Sequence, residues 1–177
     1  MNGLRRRTAE FQVTLMLLTR LPAGRLGEYV PELAAAKWAF PLAGLFVGGF
    51  LAGIYITLNR LGLPADLAAI LALAAGIMMT GGLHEDGLAD CADGFCGGQS
   101  RDQKLEIMRD SRVGSYGVLA LILVIAARTI ALATLPATVQ SLILLISLAM
   151  VSRLMMVVCL SWLPSARTEG LGHQAGK

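Results

Sequence analysis

The sequence predicts an all-α protein: a polytopic bundle of about four membrane-spanning helices, with an N-terminal interfacial or re-entrant helix and a cytoplasmic acidic loop. The first reason is composition, because 55% of the 177 residues are hydrophobic and only 15% are charged. Soluble domains average roughly 45–50% apolar and about 25% charged residues. The second reason is that most charges are segregated from four long apolar runs. We predict a single domain over residues 1–177.

The composition also excludes several classes of protein. A mean hydropathy of +0.65 excludes a disordered chain, since disordered chains are polar and rich in charge. Three cysteines do not build a disulfide scaffold for a chain of this length. Aromatic residues make up 6% of the chain, too few for a surface that stacks on bases. We therefore expect a lipid bilayer as a partner, and no nucleic acid.

Each predicted span is an apolar run close to the length that a bilayer requires, about 20 residues at 1.5 Å per residue. The predicted spans are residues 38–58, 67–83, 113–135 and 141–163. Residues 11–21 are also apolar, but they are too few to cross and Arg20 interrupts their end. We predict the interfacial or re-entrant helix there.

The distribution of lysine and arginine orients the predicted bundle. With four alternating spans, the N-terminal segment, residues 84–112 and the C-terminal tail lie on one side and carry twelve of these residues. The loops on the opposite side carry only Arg60. We therefore predict that the N-terminus and the acidic loop face the cytoplasm.

Two small-residue patterns lie in the first predicted span, at Gly44 and Gly48 and at Gly49 and Gly53. Such spacing lets two helices approach closely. Packing within one chain and packing between two copies explain the patterns equally well, so a homo-oligomer stays open.

The acidic loop holds three carboxylates, Asp86, Asp90 and Asp93, at the spacing i, i+4, i+7. On a helix this spacing places them on one face, where they repel one another unless a cation neutralises them. Carboxylate oxygens suit Mg²⁺, which commonly bridges a few carboxylates to substrate phosphates. Glu85 is a further ligand or orients one. The competing interpretation is a solvated acidic face, but these acids adjoin an apolar run and small residues separate them.

His84 directly precedes these acids and admits three interpretations. It is a general base for a hydroxyl nucleophile, a metal ligand, or a polar residue at the membrane edge. The residues alone do not choose among them.

Basic residues that follow the acids are candidates for binding phosphate oxygens. Lys104, Arg109 and Arg112 lie in residues 101–117, where we expect a short amphipathic helix. The competing interpretation is that they anchor the chain at the membrane interface, paired with nearby acids. Asp110 lies among them and is a candidate metal ligand.

Arg128 and Arg153 lie inside predicted spans, where a charge is costly and usually faces the bundle interior or a water-filled cavity. Arg153 is near the middle of its span and is the better candidate for binding an anionic substrate. Arg128 pairs with an acid or extends to the interface. These residues indicate a metal-dependent membrane transferase that splits a nucleoside-diphosphate-linked substrate.

Two stretches carry a resemblance to a known family. The first is Gly82-Leu83-His84-Glu85-Asp86-Gly87-Leu88-Ala89-Asp90, followed by Asp93-Gly94-Phe95. The second is Lys104, Met108, Asp110-Ser111-Arg112, Gly114 and Tyr116-Gly117. Both resemble the signature of the cobalamin synthase family, the adenosylcobinamide-GDP ribazoletransferases. Residues 11–22 and 163–172 match as well, so the resemblance covers essentially the whole chain.

The resemblance implies a bacterial inner-membrane enzyme of cobalamin biosynthesis that uses Mg²⁺. It implies transfer of the adenosylcobinamide phosphate group from adenosylcobinamide-GDP to α-ribazole or its 5′-phosphate, with release of GMP. The ribose 3′-hydroxyl is the expected attacking group. Family members are generally longer and continue with further apolar helices, so we expect this chain to lack the family's C-terminal helices.

The residues and the resemblance together predict one site. The predicted catalytic residues are His84, Asp86 and Asp90. The predicted substrate-binding residues are Lys104, Arg109, Arg112 and Arg153. The predicted Mg²⁺ ligands are Glu85, Asp86, Asp90, Asp93 and Asp110.

Two other functions fit the sequence less well. A CDP-alcohol-type phosphotransferase also displays carboxylates on membrane helices, but its longer pattern of paired acids and arginine is absent from this sequence. A cation transporter would carry its acids within the spans, whereas these acids adjoin the end of one.

Overall fold

The computed structural model describes residues 3–27 and 29–176, and every regular element within those ranges is a helix. The helices are α1 (Gly3–Leu18), α2 (Leu33–Ala36), α3 (Phe40–Arg60), α4 (Ala65–Thr80), α5 (Leu83–Gly97), α6 (Arg101–Ile107), α7 (Ser115–Ala133), α8 (Val139–Trp162) and α9 (Leu171–Gly176). A 3-10 turn (Lys37–Ala39) joins α2 to α3. The predicted all-α fold class is confirmed.

Three helical segments are long and apolar enough to cross a membrane, and they contain α3, α7 and α8. The bounds of α3, α7 and α8 agree with the predicted spans 38–58, 113–135 and 141–163 to within about two residues, because the length of an apolar run sets the length of the helix. Many large apolar side chains on α7 and α8 are exposed, as a lipid environment requires. The architecture is therefore that of a multi-pass helical membrane protein.

The segment predicted as the second span, residues 67–83, is interrupted in the structure. α4 ends at Thr80, and the chain bends by 91° before α5 begins. Gly81 and Gly82 form this bend with φ angles of 70° and 73°, a left-handed conformation that glycine adopts without steric cost. Within the described residues there are therefore three spanning helices, or four if the bent pair counts as one span.

α3 packs along α8 over most of its length, and two glycines allow the close approach. A Cβ atom added at Gly44 would lie 2.5 Å from the Ala149 carbonyl oxygen, and one at Gly48 would lie 2.8 Å from the Ile146 Cα. The first small-residue pattern therefore serves packing within the chain. A Cβ atom at Gly53, in the second pattern, would have no neighbour within 4 Å.

α1 begins and ends earlier than the apolar run at residues 11–21 predicts, and it is not among the spanning helices. Glu10 of α1 is fully buried, and its carboxylate accepts hydrogen bonds from Arg6, Arg7 and the Trp38 indole at 2.7–2.9 Å. This cluster holds α1 against the turn that leads into α3.

The acidic connection between the spans contains α5, in agreement with the helical spacing of its aspartates, and the short amphipathic helix expected after it is α6. Ser100 and Gln103 form a capping box that starts α6. The two helices lie close together at Gly94 and Gly98, where added Cβ atoms would meet Lys104 backbone atoms at 3.0 and 2.8 Å. α5 is therefore held firmly at its C-terminal end.

Candidate active site

The bend between α4 and α5 separates two cavities, each of about 640 Å³. One lies between the end of α1 and the start of α5, and we call it the α1/α5 cavity. The other lies among α3, α4, α7 and α8, and we call it the four-helix cavity. Thr80 and Glu85 line both cavities and form the wall between them.

The α1/α5 cavity has polar side chains from both of its walls. Thr19 and Arg20 line it from the segment after α1, and Asp86 lines it from α5. The Arg20 backbone N–H donates to the Met79 carbonyl oxygen at 2.7 Å, which fixes this segment against the end of α4. The Arg20 guanidinium lies against Gly81, where an added Cβ would be 2.6 Å from Nε. A basic side chain therefore stands opposite the acidic start of α5.

The four-helix cavity is apolar along most of its length and polar at one end. Its apolar lining includes Leu51, Leu73, Leu132 and Leu145, which belong to the hydrophobic cluster around Tyr55. The polar end lies toward α5 and is lined by Thr80, His84, Glu85, Arg128, Ser152 and Arg153. A cavity with one polar end suits a ligand with one apolar and one polar end.

Several atoms at the polar end are buried without a hydrogen-bond partner. Glu85 Oε1 accepts a hydrogen bond from Arg128 Nη1 at 2.9 Å, but Glu85 Oε2 has no partner in the described part of the chain. His84 Nε2 and Arg153 Nε are likewise buried and unpartnered there. Buried polar groups are normally satisfied, so such a concentration is typical of a binding site.

Asp86 and Asp90 lie one helical turn apart near the start of α5. Asp86 is exposed and Asp90 is half-buried. Among the described residues neither carboxylate takes part in an ion pair or accepts a hydrogen bond from another side chain. Both carboxylates are therefore available to a cation or to a ligand.

Asp93 follows on the same helix but has different surroundings. It is only 8% exposed, and its two oxygens accept hydrogen bonds from the backbone N–H groups of Gly114 at 2.7 Å and Gly117 at 2.8 Å. Gly114 is the N-cap residue of α7 and Gly117 lies in its first turn, where backbone N–H groups lack helical partners. The Asp93 carboxylate thus caps α7 and joins it to α5.

The predicted phosphate-binding residues in residues 101–117 each have different contacts. Lys104 Nζ lies 5.3 Å from the centre of the Phe95 ring, a cation–π distance. Arg109 is exposed. Arg112 Nη2 donates to Asp110 at 2.6 Å, and this hydrogen bond holds the pKa of the Asp110 carboxyl below its ordinary value. Arg112 and Asp110 are therefore paired with each other in this structure.

The five acids predicted as metal ligands do not converge on one point. Within residues 3–27 and 29–176, no group of three or more His, Cys, Asp or Glu side chains is placed to hold a metal ion. Both oxygens of Asp93 and Asp110 and one oxygen of Glu85 have partners within the protein, so of the five acids Asp86 and Asp90 are the two with both oxygens available. Two carboxylates are nevertheless a suitable set for Mg²⁺, which often takes one or two from the protein and further oxygens from substrate phosphates and water.

Comparison with known proteins identifies the family. The sequence profile of cobalamin-5-phosphate synthase matches residues 10–177. The chain belongs to the cobalamin-5-phosphate synthase family. An adenosylcobinamide-GDP ribazoletransferase of Mesorhizobium japonicum is 47% identical over 162 residues, which cover 92% of this chain and 62% of that protein. One of Bradyrhizobium diazoefficiens is 44% identical over 169 residues, or 95% of this chain and 65% of that protein.

The chain spans about three fifths of the length of these curated relatives in the cobalamin-5-phosphate synthase family. No solved structure matches the chain.

Sequence reasoning missed two residues that line the cavities of this family member. Arg20 interrupts the apolar run at residues 11–21, and that pattern does not indicate that its side chain lines a cavity. Thr80 was treated as part of an apolar run, and its position in the wall between the cavities depends on the bend that follows it. The sequence allows Arg128 to pair with an acid, but it does not identify Glu85 as that acid because 43 residues separate the two.

Proposed function

We propose that the chain acts as a magnesium-dependent adenosylcobinamide-GDP ribazoletransferase. The reaction would move the adenosylcobinamide phosphate group from adenosylcobinamide-GDP to α-ribazole or its 5′-phosphate and release GMP. Family membership and the names of the relatives support this activity. The observation that carries it is the arrangement around Glu85, where two cavities share a wall and unpartnered carboxylates and a histidine stand beside them. A reaction of two substrates needs such adjoining spaces.

In this reaction the ribose 3′-oxygen of the acceptor forms a bond to the phosphorus that carries cobinamide. The bond from that phosphorus to the oxygen of GMP breaks, and GMP leaves with the electron pair. The hydroxyl proton passes to His84 Nε2, which is buried beside the four-helix cavity and has no partner in the described residues. His84 therefore acts as the general base in this proposal.

Asp86 and Asp90 would hold the Mg²⁺ ion together with oxygens of the donor diphosphate. When bound, the ion would neutralise the diphosphate and stabilise the charge that develops on the departing GMP. Arg20 lines the same cavity as Asp86 and would bind a phosphate oxygen from the opposite wall. Lys104, Arg109 and Arg112 would bind the polar parts of the large donor outside the cavities.

The proposed location is a bacterial inner membrane, with the site on the cytoplasmic side. The excess of lysine and arginine in the N-terminal segment, in residues 84–112 and in the tail supports this orientation. Guanine nucleotides and Mg²⁺ are abundant on that side, so the proposed donor and cofactor are both accessible there.

GMP release by membranes that contain this 177-residue chain tests the proposed function. The membranes receive adenosylcobinamide-GDP, α-ribazole 5′-phosphate and Mg²⁺, and parallel samples receive EDTA or no acceptor. We expect GMP and a cobalamin product in equal amounts, only when acceptor and Mg²⁺ are both present. GMP release without acceptor would indicate a hydrolase, and no GMP beside an active longer relative would contradict the activity for this chain.

A further inference from the structure

We propose that the four-helix cavity binds the acceptor nucleoside, with its flat benzimidazole base among the apolar side chains and an anionic 5′-phosphate on the Arg153 guanidinium. This inference rests on the proposed function and assigns one of its two substrates to a defined place. The donor would then occupy the α1/α5 cavity and the surface beside Asp86 and Asp90.

The lining of the four-helix cavity favours the acceptor, since both cavities have about 640 Å³ and the larger donor would extend from the α1/α5 cavity over the surface beside Asp86 and Asp90. A volume of about 640 Å³ is typical of a site for one small molecule. A corrinoid that carries an adenosyl group and GDP is several times larger than a ribonucleoside phosphate and does not fit. The apolar end, lined by Leu51, Leu73, Leu132 and Leu145, offers no hydrogen-bonding side chain and suits a dimethylated aromatic base.

The polar end holds two guanidinium groups, Arg128 and Arg153, and one carboxylate, Glu85, so its charge favours an anion. Arg153 is only 9% exposed, its Nη1 donates to Ser152 Oγ at 2.9 Å and to the Ala149 carbonyl oxygen at 3.4 Å, and its Nε has no partner among the described residues. Within the part of the chain that the structure describes, no carboxylate lies within ion-pair distance of Arg153, and Glu85 pairs with Arg128. A buried unpaired guanidinium is costly, and a bound phosphate would remove that cost.

The position of Arg153 distinguishes a nucleoside phosphate from a lipid headgroup. Arg153 lies nine residues before the end of α8 at Trp162, which corresponds to roughly 14 Å along the helix. A phospholipid phosphate at the membrane surface does not reach that depth. In this proposal a small ligand reaches Arg153 from the side of α5, where Thr80 and Glu85 line both cavities.

The same placement brings the acceptor to the reacting groups. His84 lines the polar end of the four-helix cavity, whereas Asp86 lines the α1/α5 cavity. A ribose between the base and the phosphate would place its hydroxyls near His84 and near the shared wall. Arg153 is therefore a positioning and specificity residue in this proposal, while His84 contacts the reacting oxygen.

Calorimetric binding to the full chain in phosphatidylcholine nanodiscs tests the phosphate contact. The probes are α-ribazole 5′-phosphate and α-ribazole, and the variant is Arg153→Met. We expect the Kd of the phosphorylated probe to rise at least about tenfold, the loss of one charge-assisted hydrogen bond, while that of α-ribazole stays within about twofold. Arg60→Met, an exposed arginine at the end of α3, is the matched control and should change neither.

A second variant tests the apolar end and does not depend on charge. Ala131→Phe adds a ring inside the cavity and should weaken binding of both probes, whereas Val151→Phe, at an exposed position of α8 outside the lining, should weaken neither. Unchanged binding in both Arg153→Met and Ala131→Phe would overturn the proposal. A lipid outcome would also overturn it. In that case nanodiscs rich in phosphatidylglycerol would weaken binding of α-ribazole 5′-phosphate to the wild type but not to Arg153→Met, because a lipid phosphate would occupy Arg153.

Kinetic measurements separate this inference from the proposed function. If the chain releases GMP, Arg153→Met should raise the KM for α-ribazole 5′-phosphate and leave the KM for adenosylcobinamide-GDP unchanged. A rise in the donor KM alone would overturn the placement and leave the activity intact. Binding of α-ribazole 5′-phosphate without any GMP release would support the placement and contradict the proposed activity.

Discussion

The first half of α5, from His84 to Asp90, and its second half, from Asp93 to Gly97, use similar side chains in different ways. In the second half the Asp93 carboxylate is bound by two backbone N–H groups, and glycines pack closely on α6. In the first half Asp86, Asp90 and His84 Nε2 have no side-chain or backbone partner among the described residues. The second half of α5 therefore fixes the helix against α6 and α7, and the first half is available to bind ligands.

The largest effect that this comparison predicts is on turnover in the first half. Asp86→Asn or Asp90→Asn should lower Mg²⁺-dependent GMP release about a thousandfold, because a metal that stabilises charge contributes several kcal/mol to the transition state. The melting temperature should hardly change, since neither carboxylate has a partner to lose. Asp102→Asn, at a 95% exposed side chain on α6, is the control. Near-normal turnover in both variants would contradict the proposed metal site.

The opposite result is expected in the second half. Asp93→Asn leaves one of two buried N–H groups without a carboxylate acceptor, so it should lower the free energy of unfolding by about 2 kcal/mol. Unfolding in detergent, followed by circular dichroism, measures this. Turnover per folded molecule should fall much less than in Asp86→Asn. If Asp93→Asn were as stable as the wild type and inactive, Asp93 would instead belong with the metal ligands.

A pair of glycine substitutions sharpens the same contrast. An added Cβ at Gly117 would lie 3.1 Å from the Ala89 carbonyl oxygen and would collide with the Asp93 carboxylate, so Gly117→Ala should destabilise the protein by about 1–3 kcal/mol. An added Cβ at Gly87 has no neighbour within 4 Å, so Gly87→Ala should stabilise α5 by about 0.5–1 kcal/mol. Thermal melts of both variants should therefore shift in opposite directions, and shifts of one sign would contradict the packing described.

The smallest effect concerns Glu10, a satisfied carboxylate outside α5. Burial raises its pKa, but hydrogen bonds from Trp38, Arg6 and Arg7 outweigh this and hold the pKa below its ordinary value. A group with a lowered folded pKa stabilises the protein above its unfolded pKa, and that stability is lost as the pH falls through the folded pKa. Acidification should therefore loosen α1, as limited proteolysis can detect. Glu10→Gln should reduce the pH dependence of proteolysis, and an unchanged dependence would contradict the stabilising role of the Glu10 carboxylate.

Local patterns in the sequence predicted the spanning helices well and the partners of the acids poorly. Apolar run length sets the bounds of α3, α7 and α8, so no information from elsewhere in the chain was needed. The bend after Thr80 depends on two adjacent left-handed glycines, whose angle the apolar pattern does not encode. From their spacing, the three aspartates are equivalent candidates for a metal ligand. The structure distinguishes Asp93, because its hydrogen-bond donors lie 21 and 24 residues later in the chain. Contacts over that distance belong to the tertiary fold.

The close pairing of α3 with α8 has a consequence for how the chain is made. Roughly eighty residues separate the end of α3 from the start of α8, and ribosomes add about 5–20 residues per second. For several seconds after α3 enters the bilayer, its glycine-lined groove faces lipid or the insertion machinery instead of its partner helix. Of the described spanning helices, the first to be synthesised is thus among the last to complete its packing.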